Sequence, residues 1–185
     1  MLVALPGRRS TVRDTSEGLE LIIPARRSTF ALLFLTAWLC GWAFGEVTAA
    51  YQIVWGKEGG AGLFLVAWLA MWTVGGGWAI YTWLWMASGK EIVTLRSGSL
   101  AIRRDTCGLG KTHEYELAHV KALRVSAHAM DPMAWSRGSQ FWGQGGGVVA
   151  FDYGAKTFRF AGGVDEAEAT QIVAELKARH PFAAA

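Results

Sequence analysis

The sequence predicts an α+β membrane protein, in which a two-helix transmembrane hairpin is inserted after the first strand of a cytoplasmic β domain that ends in a helix. Three observations predict it. Apolar residues make up 52% of the 185-residue chain, and the excess is concentrated in two nearly charge-free blocks, 30–46 and 61–87. Basic residues lie almost wholly outside those blocks, with Lys57 alone between residues 29 and 87. Elsewhere, short runs alternate apolar with polar residues, and the chain closes on an amphipathic helical pattern.

Residues 1–28 form an N-terminal segment with the first strand, Gly18-Leu19-Glu20-Leu21-Ile22-Ile23, too short for a helix and stopped by Pro24. Residues 29–54 and 61–87 each exceed the roughly 20 residues that a helix needs to cross a hydrocarbon core about 30 Å thick. The connector 55–60 contains Gly56-Lys57-Glu58-Gly59-Gly60, polar and short enough to force an antiparallel hairpin. A hairpin returns both ends to one side. Arg8, Arg9, Arg13, Arg26 and Arg27 before it, and Lys90 and Arg96 after it, make that side cytoplasmic by the positive-inside rule. Tyr51 and Trp55, and Trp83 and Trp85, suit interfacial belts. Thr48-Ala49-Ala50 resembles a signal-peptidase site, but the leading 28 residues with three acids and the long apolar run favour an uncleaved anchor.

In the cytoplasmic segment 88–185, runs 91–96 and 100–104 flank Ser97-Gly98-Ser99, a hairpin signal. Runs 113–117 and 120–125 follow, then 148–153 and 156–160 around Gly154-Ala155. Val149, Phe151 and Tyr153 share a face, as do Phe158 and Phe160, which implies one buried side. A helix over 165–180 is marked by Asp165 and Glu168 as a capping-box start. Its stripe is Ala169, Ile172, Val173 and Leu176, and Lys177, Arg179 and His180 sit at its negative end before Pro181. The expected tally is seven strands and one final helix.

Phe151-Asp152-Tyr153-Gly154-Ala155-Lys156-Thr157-Phe158-Arg159-Phe160 followed by Asp165-Glu166-Ala167-Glu168-Ala169 carries a family resemblance, together with the strand order. The chain resembles bacterial pleckstrin-homology-like (PH-like) membrane proteins. The resemblance implies a small β-barrel closed at one end by the C-terminal helix, and a role in assembling membrane complexes as some relatives are thought to have. It supplies no catalytic residues. The long insertion 126–147 departs from the compact pattern.

Nucleotide motifs fail on spacing. Gly110-Lys111-Thr112 ends like a phosphate loop, but Asp105 stands where the first glycine belongs. Gly143-Gln144-Gly145-Gly146-Gly147 is followed by Val148 and a strand, so a flexible turn is favoured. His113 and His119 stand six apart, Cys107 has no CxxC partner, and Cys40 lies in a different context; no metal set or disulfide framework is expected. No catalytic triad or dyad is assigned. The spans hold no histidine, which disfavours bis-histidine haem; Met71 and Met86 are better read as packing. Trp38, Trp42, Trp68, Trp72 and Trp78 are read as packing and lipid contact, with a pigment, quinone or lipid groove as the alternative. No cofactor is expected.

Gly41 and Gly45 form a GxxxG pair, with Gly75-Gly76-Gly77 on the second helix. Packing within the hairpin explains them; docking against another membrane subunit is the alternative. Glu46 is either a functional carboxylate at membrane depth or, if the helix ends near it, a group that meets water; the second is favoured. Segment 126–147 carries Met130, Met133, Trp135, Arg137, Gln140, Phe141 and Trp142, suited to binding a partner or the bilayer interface, or to completing the core. Partner binding is assigned to Gly41, Gly45, Met133, Trp135, Arg137, Phe141 and Trp142.

The expected protein is a non-enzymatic accessory or assembly subunit in a bacterial inner membrane, partnered by other integral membrane subunits and by lipids. The competing expectation is an anionic-lipid-binding module whose headgroup contacts are Arg26, Arg27, Lys90 and Arg96, extended by Arg103 and Arg104. A transporter using Glu46 would need an oligomer. From Ser88 onward 12 basic and 10 acidic residues are interspersed, which argues against nucleic-acid binding.

Overall fold

The computed structural model describes residues 2–3, 9–16, 18–55, 62–126 and 147–183. They fall into two compact units: residues 1–26 together with 88–185, and residues 27–87.

The first unit is built on antiparallel strands. Its larger sheet has six in sequence order: β1 (Leu2–Val3), β2 (Thr11–Thr15), β3 (Gly18–Pro24), β4 (Lys90–Leu95), β5 (Ser99–Thr106) and β6 (Leu109–Glu116). The second has β7 (Val120–Val125), β8 (Val149–Tyr153) and β9 (Lys156–Phe160). Along β3 every second residue is buried, at Leu19, Leu21 and Ile23, and β4 answers with Glu91, Val93 and Leu95. This alternation fixes the register, since a slip of one residue would turn both sets outward. Gly18 sits at φ +137°, and a Cβ there would meet Leu95 O at 2.1 Å, so only glycine fits the start of β3.

The core joins these strands to Phe151 and Phe160 of the second sheet and to one face of α3 (Glu166–Arg179). That helix opens as its sequence predicts: the Asp165 side chain accepts the Glu168 N–H at 2.8 Å, and Ala169, Ile172, Val173 and Leu176 are buried. The capping box is only half made. Glu168 turns its carboxylate to Ser10 instead, where the backbone N–H and the hydroxyl donate at 2.7 and 2.5 Å.

Three sequence expectations need correction. The inserted segment follows the third strand rather than the first, because β1 and β2 precede it. Thr11-Val12-Arg13-Asp14-Thr15 has one apolar residue and no alternation to read; it is a strand because β3 offers it an edge, with Val12 paired to Leu21. The strand expected at 113–117 runs Leu109–Glu116 and is exposed save for a half-buried Tyr115, so ladder pairing to β5 rather than burial makes it a strand. Leu117 belongs to a short 3-10 turn, Leu117–His119.

The second unit is a pair of helices, α1 (Thr29–Trp55) and α2 (Gly62–Ser88), each of 27 residues and hence about 40 Å long. The Ala31 N–H reaches the Ser28 hydroxyl at 3.3 Å, capping the start of α1. The helices meet where Trp42 lies over Gly76, at which a Cβ would fall 2.0 Å from the indole ring. Gly41 has nothing within 4 Å of the same test atom, and Gly45 has only Trp72 Nε1 at 3.9 Å. Close approach within the hairpin is therefore made by Gly76 and not by the GxxxG pair, correcting the packing explanation of Gly41.

Gly76→Ala should destabilise the helix pair by about 1–3 kcal/mol through overpacking against Trp42. Gly41→Ala should leave it unchanged. Reversible unfolding of the full chain in mixed micelles, followed by tryptophan fluorescence, checks both.

Candidate functional site

A carboxyl group inside an apolar helix pair is the most unusual chemical feature among the described residues. Glu46 stands nine residues before the end of α1, roughly 13 Å along the axis. The helix runs on past it to Trp55, close to the expected end at residue 54. Glu46 Oε1 lies 2.5 Å from Thr73 Oγ1 of α2, and its Oε2 is buried without a hydrogen-bond partner among the described residues. Tryptophans surround the crossing: the Trp42 indole N–H donates to Trp72 O at 3.1 Å, and Trp72 stacks on Trp68 with centroids 4.8 Å apart. Trp38 approaches Trp72 at 6.0 Å, while the Trp72 indole nitrogen is buried and unpartnered. Further along, the Trp83 indole N–H donates to Thr36 Oγ1 at 2.9 Å. Sequence reasoning found Glu46 but not Thr73, since nothing in a single chain tells which residue a second helix will present.

Two of the headgroup candidates, Lys90 and Arg96, stand apart. Lys90 and Arg96 flank the six-residue strand β4, which holds them about 20 Å apart. Both are engaged, Lys90 with Asp105 at 3.7 Å and Arg96 with Glu114 at 3.7 Å. Arg103 pairs with Asp105 at 2.9 Å, and Arg104 with Glu91 at 2.9 Å. Arg26 instead lines a cleft of about 350 Å³ with Arg9, Gly163, Val164, Asp165 and Glu168. Arg9 was not among the headgroup candidates, because an arginine so far from the helices in sequence gives no signal of where it folds. Met133, Trp135, Arg137, Phe141 and Trp142 lie outside the described residues. The segment that carries them leaves and returns side by side, with the Ser126 N–H donating to Val148 O at 2.7 Å.

The other buried carboxylates of the first unit act as fasteners. Glu91 is held by Arg104 and by the Ala161 N–H at 2.7 Å, joining β4 to the turn after β9. Its place on the inward face was legible in principle, as it shares parity with Val93 and Leu95. Asp105 is held below the usual carboxylate range, first by its hydrogen bond from Arg103. Asp152 is lowered likewise by Arg124, whose guanidinium it accepts at 2.7 Å, and then by Thr157. Burial raises the Tyr115 phenol, which packs with Phe151, Tyr153 and Phe158.

His119 meets Glu116 at 3.1 Å in an exposed pair, and no group of three metal-ligating side chains comes together among the described residues. Cys40 and Cys107 are free thiols, and Cys107 Sγ lies 3.0 Å from Ser88 Oγ. Comparison with known protein families, with curated proteins and with solved structures finds no match to this chain.

The lowered Asp105 fixes the sign of an acid effect. Its contribution to stability is in place above the unfolded-state value of about 3.9 and is lost as pH falls through the lower folded value. Asp105→Asn should therefore be less stable than wild type at pH 7, with the difference shrinking below about pH 4. Denaturant midpoints by circular dichroism at neutral and acid pH measure it.

Proposed function

We propose that this chain is a non-enzymatic accessory or assembly subunit of a larger bacterial membrane complex, seated in the inner membrane by α1 and α2 and acting by helix packing and protein binding. One observation carries the membrane part. Large apolar side chains line the outside of both helices, with Phe44 75%, Leu63 86% and Met71 79% exposed, and only 11% of each apolar window is buried. The core helix of a soluble protein would be covered, and water does not tolerate so extensive an apolar surface. Lipid does.

A common compartment for both termini is supported by the shared sheet: β3 precedes the hairpin, β4 follows it, and the two strands pair residue by residue. The basic flanks favour the cytoplasm for that compartment. Antiparallel strands followed by α3 agree with the PH-like reading of the first unit, which supplies the bacterial assignment. Binding rather than chemistry is supported by the fastening roles of Glu91, Asp105 and Glu168. In this proposal other membrane subunits pack on the open Gly41 side of α1, and the segment 126–147 contacts them from the cytoplasm.

The second reading is recognition of anionic lipid. Arg26 and Arg27 immediately precede α1, and neither they nor Arg9 has an ion pair among the described residues. Lys90 and Arg96 drop out of this reading because Asp105 and Glu114 engage them.

Crosslinking followed by purification from native membranes in mild detergent should recover specific integral-membrane neighbours, and Gly41→Leu should reduce that recovery severalfold. Isolation as a lone monomer would reject the proposal. Co-purification of phosphatidylglycerol in preference to phosphatidylcholine when the full chain is extracted from mixed-lipid vesicles in mild detergent, lost in Arg26→Gln/Arg27→Gln, would favour the second reading.

A further inference from the structure

We infer that the turn between β5 and β6 is a further contact with the membrane, resting among the lipid headgroups with Leu109 at the edge of the acyl chains. This rests on the membrane placement of α1 and α2 proposed above, and extends it to the first unit.

A single exposed leucine needs no explanation in itself. Its place does. Among the described residues, every other exposed large apolar side chain belongs to α1 or α2, and Leu109, at 83%, stands alone in the first unit. The pairing registers show where it lies. One row of the larger sheet runs through Pro24, Lys90, Asp105 and Gly110, across β3 to β6. The next row holds the Ala25–Gly89 hydrogen bond and the Thr106–Leu109 pair. From this row the chain leaves for α1 and returns from α2. Two strand spacings, about 10 Å, separate Leu109 from Gly89. One residue further out, Cys107 Sγ lies 3.0 Å from Oγ of Ser88, the last residue of α2.

Connectivity turns this place into a depth. At 27 residues α2 is about 40 Å long, more than the roughly 30 Å of hydrocarbon and close to the thickness of about 40–45 Å that includes both headgroup layers. Its last residue therefore emerges within a headgroup layer, and the turn beside Ser88 shares that depth.

The composition of the turn agrees. Cys107 and Gly108 have φ of +53° and +85°, the positive values that a tight two-residue hairpin needs at both central positions. Asn or Asp is the usual partner of glycine there. A thiol takes that place, and Thr106-Cys107-Gly108-Leu109 carries no charge. By contrast, the turn at the opposite end of β5 reads Arg96-Ser97-Gly98-Ser99. Two residues behind Leu109, and on the same strand face, Lys111 is exposed and has no ion pair among the described residues. A lysine about 7 Å behind an inserted leucine meets lipid phosphates while its stem lies along apolar surface.

Electron paramagnetic resonance of the full chain in vesicles of phosphatidylglycerol and phosphatidylcholine tests this. A nitroxide label is attached through Leu109→Cys in a Cys40→Ser/Cys107→Ser background, and its collisions with oxygen, which concentrates in lipid, are compared with those of a water-soluble nickel chelate. Ser97→Cys and Phe44→Cys in the same background report on the far turn and on the helix pair. We expect the oxygen-to-nickel ratio at position 109 to exceed that at position 97 severalfold. Should this background fail to accumulate, the native Cys107 thiol is labelled in Cys40→Ser alone and should show the same preference for oxygen. Equal ratios at positions 109 and 97, or a label at 109 shielded from both reagents and so covered by protein, overturn the inference. Position 44 separates the two proposals: free access of the nickel chelate there refutes the membrane placement on which both rest, whereas lipid exposure at 44 with water exposure at 109 refutes only this one.

Discussion

The backbone ladder between β3 and β4 is the constraint on which the rest of the molecule depends. Pro24 pairs with Lys90, and one step beyond the strands the Ala25 N–H still donates to Gly89 O at 2.9 Å. The whole helical insertion therefore begins and ends at a single hydrogen-bonded pair, with short links to α1 and α2. Antiparallel pairing brings chain ends together at strand spacing, about 4.8 Å. An insertion so closed must be a hairpin that returns to its starting point. It also makes one folded unit of segments separated by more than sixty residues of apolar chain, so the first strands cannot complete their sheet until the second helix has been made.

Within each unit, polar groups are handled according to the surroundings they can reach. In the first unit, buried carboxylates find guanidinium groups, a serine or backbone N–H donors, and two of them join elements distant in sequence: Glu91 to Ala161, Glu168 to Ser10. Removing one partner from such a contact leaves the other desolvated and unmet, a cost of about 1–3 kcal/mol. In the helix pair no cation is present, and hydroxyl, indole and carbonyl groups do this work at lower charge. Gly76 permits the approach that brings them within reach, since any side chain there would hold Trp42 away.

Much of the fold was legible because it depends on local pattern. Two long uncharged blocks gave two helices of nearly the expected extent, and the strict alternation of Leu19, Leu21 and Ile23 gave β3. Asp165 and the stripe from Ala169 to Leu176 gave α3. The exceptions share one cause. β2 and most of β6 contain too little apolar sequence to announce themselves, and are strands because a neighbouring edge has unpaired N–H and C=O groups to satisfy.

The candidate site was legible only by half. A lone acid in a charge-free block draws attention in any sequence, and so Glu46 was found, on a helix that ends within one residue of the expected 29–54; its pairing with Thr73 was not. Two glycine patterns pointed to packing within the hairpin, Gly41 with Gly45 and Gly75-Gly76-Gly77; the crossing formed at Gly76 of the second, where Trp42 supplied a flat ring to fill the gap. By itself the sequence determined which segments shun water and which alternate, since hydrophobicity and periodicity act along the chain. Only the tertiary structure decided which glycine admits a tryptophan, which carboxylate meets an arginine and which threonine faces Glu46. Those contacts depend on distances between atoms that chain order leaves free.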